Sequence, residues 1–340
     1  MAFQTFTGKE YLKIDIANSY GLDKKSWNER LTWFDNNSHH LLDLIKEAKE
    51  PAMYFAGINA FKAAERGEAS GYPISLDATA SGFQILAVLT GDRSAAELCN
   101  VVDTGDREDA YTVIYEMMVR ALGESSVISR ERTKDAILTA LYGSTAVPKD
   151  VFGTGTLLNV FYDVMKTVAP AAWELNETYL SIWNPEAYSY SLVMPDNFHA
   201  KWKVMGKVKE TVHFLNEPFD VFTEVNMPTE GGRSLGANST HTFDGMIVRE
   251  MVRRCDYDPA VIIRCINAMD NCHIIEEPKE DKDSRMVQTL WDHYKKTGYL
   301  SARILDHIQV HNAMLVDHKD IWELIDSLPE KPFQILTVHD

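Results

Sequence analysis

The sequence predicts an α+β protein that is mainly helical. Three observations predict it: several stretches carry apolar residues at helical spacing, two short apolar runs each end on an aspartate, and one segment alternates around a Pro-Asp-Asn turn. No internal repeat, low-complexity tract or Gly/Ser linker interrupts the 340 residues, so the chain reads as one continuous structure able to bury a large core.

Taken in order, residues Glu29 to Lys49 place Leu31, Phe34, Leu41, Leu42 and Ile45 among polar neighbours, which predicts a helix. A second helix is expected from Pro51 to Glu65. Tyr72-Pro-Ile-Ser-Leu-Asp77 reads as a short buried strand with its acid at the end, followed by Ala-Thr-Ala-Ser-Gly and an apolar helix from Phe83 to Leu89. Helices are also expected over Arg107 to Leu122 and Arg130 to Tyr142. Between Ala187 and Phe214, alternation from Tyr188, the turn at Pro195 and a second run through Trp202 predict a β-hairpin. Asp258 to Pro329 is acidic and mainly helical in pattern, and Pro332 to Asp340 is a second apolar strand ending on an acid. A candidate site residue needs scaffold on both sides, so the chain is expected to continue beyond Asp340.

The hydrophobic fraction of 45% and charged fraction of 25% are those of a globular chain, and no apolar run approaches the roughly 20 residues that span a bilayer. No membrane partner is expected. The start shows no basic region followed by an apolar stretch, so a cytoplasmic setting is expected. Four cysteines form no CxxC pair, and Cys255, Cys265 and Cys272 with His273 fit no zinc spacing, so reduced thiols are expected. The net charge of −16 weighs against a generic nucleic-acid coat, which needs Lys and Arg to neutralise phosphates. Three basic clusters run the other way: Arg130, Arg132 and Lys134; Lys201, Lys203, Lys207 and Lys209; Arg249, Arg253 and Arg254. They suit either the lining of a basic channel or solvated faces.

Two carboxylates at the ends of apolar strands suit a pair of divalent cations about 3.5–4 Å apart, the arrangement that serves nucleotidyl transfer. Magnesium takes such oxygens. Asp77 and Asp340 have that placement, although Asp77 alone reads first as a turn or helix-capping acid and the terminal His339-Asp340 alone is a weaker signal still. Arg130, Lys134 and Leu138 stand at four-residue steps on one helix face, where Arg as a fork and Lys as a point charge can reach one phosphate group. Tyr142 at the helix end offers a flat face and a hydroxyl, and Gly143 lets the chain turn away. An amphipathic surface helix ending on an ordinary glycine has the same pattern.

These residues carry a resemblance. Asp77-Ala-Thr-Ala-Ser81-Gly82-Phe-Gln84 resembles motif A of the phage-type, single-subunit RNA polymerases; Arg130, Lys134, Tyr142 and Gly143 resemble motif B; Val338-His339-Asp340 resembles motif C. The order agrees, and Gly8 to Lys24 is similar to the segment entering the family's palm. The resemblance implies a right-hand, palm-and-fingers architecture with a small antiparallel palm sheet. Residues 1–105 would form the first palm segment, 106–241 the fingers, and 242–340 the second palm segment, with an insertion over about 258–329. It implies that Asp77 and Asp340 hold two Mg2+ ions and that Arg130 and Lys134 hold the incoming triphosphate. Tyr142 would close on the nucleotide and help select ribose, Tyr111 would stand near the template base, and His241 near the nascent pair or sugar. The partners implied are a DNA template, the RNA product and ribonucleoside triphosphates. Ile85 departs from the family's usual His, and the stretch between His241 and Asp340 is longer than the family's compact form. The family's N-terminal and thumb elements are missing, which implies the catalytic subunit of a split, two-chain phage polymerase whose second subunit supplies them.

A family A-like DNA polymerase shares the aspartates but carries Glu five positions after the first, where this chain has Gly82; a glycine leaves room for ribose. Tyr142 rather than Phe adds a hydroxyl for the sugar region. A non-catalytic, polymerase-like structural subunit is the other alternative.

Overall fold

A computed structural model describes residues 6–75, 80–105, 107–123, 128–232, 234–274 and 277–337. The chain forms two compact units, Met1–Ala80 with Ala96–Ala110, and Ser81–Ala95 with Tyr111–Asp340.

The first unit rests on helices α1 (Gly8–Ala17), α2 (Trp27–Asn37) and α3 (Pro51–Glu65). Thr7 with Glu10 and Ser26 with Glu29 close reciprocal capping boxes that satisfy the first amides of α1 and α2. Leu12, Ile16, Phe34, Leu41, Tyr54 and Ile58 form the core. Gly57 brings α3 against α1, since a Cβ there would lie 2.8 Å from Ile16 Cγ1. The helix expected over 29–49 ends at Asn37. Asn37 Nδ2 donates to the Trp33 carbonyl at 2.7 Å and Ser38 Oγ to that of Asp35 at 3.0 Å, the local competition by which such side chains end helices. A short 3-10 turn, Asp43–Lys46, follows.

The strand expected over Tyr72–Asp77 does not form in its described portion, 72–75, where Ile74 is exposed. A strand needs a neighbouring ladder, and here the polar contacts go to a helix instead: Ser75 N–H donates to Asp15 Oδ1 at 3.1 Å and Tyr72 Oη to Asp15 Oδ2 at 2.7 Å. Asp77 lies outside the described residues.

In the second unit, α4 (Ser81–Thr90) buries Phe83, Ile85, Leu86 and Ala87. After α5 (Arg93–Leu98) come α6 (Ala110–Leu122), α7 (Arg130–Leu141), α8 (Ala146–Phe152), α9 (Thr156–Val168) and α10 (Pro170–Ser181). The buried Asp92 carboxylate accepts from Ala95 N–H at 3.1 Å and from Ala171 N–H at 2.9 Å, serving donors near the starts of α5 and α10. The expected hairpin is present as β1 (Ser189–Val193) antiparallel to β2 (His199–Lys203), with Tyr190 opposite Trp202. The end of the predicted span belongs to a second hairpin, β3 (Met205–Phe214) with β4 (Glu217–Asn226), turned at Leu215 and Asn216 with φ of 50° and 65°. These two separate sheets are the antiparallel structure of the described residues.

Helix α11 (Ser234–Cys255) leads into α12 (Pro259–Asn271), α13 (Lys282–Thr297) and α14 (His318–Asp326), so 258–329 is mainly helical as expected. It has its own apolar core around Cys265, Val287, Leu290, Ile304 and Ile321. All four cysteines are buried and free, and Cys265 Sγ donates to the Leu305 carbonyl at 3.1 Å. The strand expected from Pro332 does not form over its described portion, 332–337: Phe333 N–H donates to the Cys255 carbonyl at 2.7 Å, and Phe333 and Leu336 are exposed. A lone apolar segment without a ladder partner stays extended coil. Asp340 lies outside the described residues.

Candidate functional site

Helices α4, α7 and α11 pack together in the second unit and bring Gly82, Tyr142 and His241 to one place. Tyr142 follows the last residue of α7, where φ −94° and ψ 11° leave the helix and Gly143 continues at φ 86°. Its ring stacks on His241 at 5.2 Å between centroids and 5° between planes, a contact typical of offset aromatic pairs. The space that Gly82 leaves is taken by this phenol: a Cβ there would lie 2.6 Å from Tyr142 Cζ and closer still to its hydroxyl. Gly82 is therefore a contact requirement, because nothing larger than hydrogen fits while Tyr142 holds this position.

The hydroxyl is partly buried. Burial and the negative charge of Asp244 push the Tyr142 pKa up, against hydrogen bonding with the Ser81 side chain and the Gly82 backbone that pulls it down. The phenol is thus protonated at neutral pH and can donate. Ser81 Oγ in turn donates to Asp244 Oδ2 at 3.3 Å. Asp244 escaped notice in the sequence, although it stands three residues after His241, the spacing that puts both on one face of α11. Asn176 is a second such residue: its Nδ2 donates to the Ala140 carbonyl at 3.0 Å, steadying the last turn of α7. Thr139, Tyr142, Ser144, Thr145, Ala237 and His241 line a cleft of about 450 Å3.

Arg130 and Lys134 form a separate group two to three turns earlier on α7. Ser129 caps that helix, accepting from Arg132 N–H at 3.3 Å. Arg130 Nε donates to Thr112 Oγ1 at 2.7 Å, and Lys134 Nζ lies 5.4 Å from the centre of the Tyr111 ring. The helical rise puts Lys134 about 12 Å from Tyr142 along the axis, on the order of a nucleotide's length. The structure thus gathers Tyr111, Arg130 and Lys134 at one end of α7 and Gly82, Tyr142 and His241 at the other. Among the described residues no group of three or more His, Cys, Asp or Glu side chains gathers to hold a metal ion. The magnesium assignment therefore rests on Asp77 and Asp340, whose carboxylates are the donor type Mg2+ prefers.

The sequence of this helix frame has relatives. A family model described as DNA-dependent RNA polymerase matches residues 5–153, which include Gly82, Tyr111, Arg130, Lys134 and Tyr142. Residues 5–153 are therefore similar to the DNA-dependent RNA polymerase family. The chain is 30% identical over 159 residues to a probable DNA-directed RNA polymerase of Neurospora crassa, covering 41% of this chain and 18% of that protein. It is 26% identical over 173 residues to the DNA-directed RNA polymerase of Pseudomonas phage phiKMV, covering 41% and 21%. A probable DNA-directed RNA polymerase of Agaricus bitorquis is 23% identical over 253 residues, covering 65% and 22%. The chain therefore spans about a fifth of the length of these relatives. No described helix is long and apolar enough to cross a membrane.

Proposed function

We propose that this chain carries the nucleotide-binding and catalytic portion of a DNA-directed RNA polymerase, adding ribonucleotides to an RNA 3′ end on a DNA template. The observation that carries this reading is the arrangement along α7: two cations at its start, and at its end a protonated phenol that stacks on His241 and fills the space beside Gly82. Arg130 and Lys134 hold the triphosphate, and Tyr142 and His241 offer flat faces to the base and sugar. Asp77 and Asp340 would hold two magnesium ions, which when bound supply an activated 3′-hydroxyl and neutralise the triphosphate. The Tyr142 hydroxyl donates toward the sugar, and an unpaired buried donor penalises a substrate lacking the matching oxygen. Palm, fingers and insertion follow the divisions read from the sequence, the setting is a host-cell cytoplasm, and a second subunit supplies the remaining polymerase elements.

The decisive experiment is template-dependent ribonucleotide incorporation, with and without a co-purifying partner, by the parent and Asp77→Asn. A neutral amide is a poor anchor for magnesium, so Asp77→Asn should lose activity by orders of magnitude with an unchanged melting curve. Activity retained in magnesium would remove the two-metal reading. Tyr142→Phe should keep RNA synthesis but let deoxynucleotides compete better; an unaltered ribose preference would show that the phenol does not read the sugar.

A further inference from the structure

Outside the α7 site, a cleft of about 390 Å3 opens beside the β1–β2 turn, α13 and the 3-10 turn Ala302–His307. Its polar lining is His199, Lys282, Arg285, Arg303, Thr289 and Asn197, with no carboxylate among them. No carboxylate among the described residues pairs with Lys282, Arg285 or Arg303, whereas other cations of the same unit are engaged: Arg249 with Asp196 at 2.9 Å, Arg253 with Glu250 at 2.6 Å, and Lys295 with Asp292 at 2.7 Å. The acids flanking Lys282 are occupied elsewhere. Asp281 accepts from Ser284 N–H at 2.9 Å, and Asp283 pairs with His307 at 2.9 Å.

In a chain with 50 acidic and 34 basic residues, three cations left together in one concavity repel each other without local compensation. We propose that this cleft binds the phosphodiester backbone of a nucleic-acid strand, as a site separate from the α7 residues. Two guanidinium forks match phosphate oxygens, Lys282 adds a point charge, and Asn197 adds a neutral donor. A cleft of about 390 Å3 admits a sugar-phosphate unit, whereas an acidic protein surface would need a broad contact of roughly 800 Å2 on each side. That the strand is template or transcript rests on the proposed polymerase function; the binding does not. The site gives the helical segment 258–329 a role in holding nucleic acid away from the reaction.

The test is fluorescence anisotropy of the full chain with a short single-stranded DNA, the matching duplex and a single-stranded RNA across a salt series, without nucleotides or magnesium, so that loss of catalysis cannot affect it. Arg285→Ala/Arg303→Ala should weaken binding to at least one of these about tenfold and lower the slope of log affinity against log salt by about 1 to 2. Arg285→Lys/Arg303→Lys should keep most of the slope. Lys295→Ala/Lys319→Ala, which removes cations already paired on the surface, should change neither. If the double alanine variant fails to fold, exposed Lys282→Gln gives the same reading with a slope change of about 1. Unchanged affinity and slope in the cleft variants would overturn the proposal. So would equal losses in the control, or displacement of the strand by polyglutamate at matched charge.

Discussion

Gly82 shows how far a single residue could be read. In the sequence it is a position where a larger side chain is missing, and the resemblance explains the gap as room for ribose. The structure gives the gap an occupant, since the Tyr142 phenol lies where a Cβ would go. Alanine at 82 must therefore push Tyr142 off His241, and overpacking of this kind costs about 1–3 kcal/mol. Gly82→Ala is expected to lower stability in urea unfolding by that amount and to reduce RNA synthesis. In a Tyr142→Ala background the penalty should vanish, because nothing then occupies the space; an equal penalty in both backgrounds would mean that the two residues do not meet. Asp244 marks the limit of such reading. Its role depends on Ser81, 163 residues away in sequence, and only the packing of α4 on α11 brings them together.

At the scale of elements, helices were legible and lone apolar strands were not, for one physical reason. A helix closes its hydrogen bonds within its own sequence, so caps and periodicity announce it, as Ser129 and the Arg130 to Leu141 pattern do for α7. A strand is defined by a partner. The β1–β2 hairpin carries its partner just across the turn at Pro195, whereas the runs ending on Asp77 and Asp340 have no ladder in their described portions. The local logic of α7 is testable. Ser129→Ala leaves an orphan amide at the helix start and should cost about 1 kcal/mol in urea unfolding, while Ser129→Asp should retain the cap. No difference between the two would mean that α7 is held by packing alone. Charge clusters follow the same distinction. Arg249, Arg253 and Arg254 look like a basic stripe in sequence, yet Asp196 and Glu250 engage all three. Three cations without a carboxylate partner among the described residues, Lys282 and Arg285 on α13 and Arg303 on the 3-10 turn after it, meet only in the fold.

Across the whole molecule, the two units should answer acid in opposite senses, because Asp15 and Asp196 are buried in different settings. In the first unit burial pushes Asp15 up, and hydrogen bonds from Tyr72 and Ser75 only partly offset it. In the second unit burial also acts to raise Asp196, but hydrogen bonds and charge from Arg249 and Arg253 outweigh it and hold its carboxyl below the ordinary range. An acid with a raised folded pKa binds its proton more tightly when folded, so Asp15 adds stability below the unfolded value of about 3.9 and withdraws it as pH rises through the raised value. Asp196 does the reverse: its contribution is present above about 3.9 and is lost as pH falls through the depressed value. Hydrogen exchange followed peptide by peptide on acidification from neutral pH should therefore show protection failing first around α11 and the β1–β2 hairpin, with the α1–α3 core holding longer. Asp196→Asn should flatten the acid loss in the second unit at the cost of lower stability at neutral pH, where Arg249 and Arg253 lose their shared carboxylate. Asp15→Asn should remove the gain of the first unit on acidification. Simultaneous loss of protection in both units, unchanged by either variant, would show that acid acts through the general charge balance rather than through these two carboxyls.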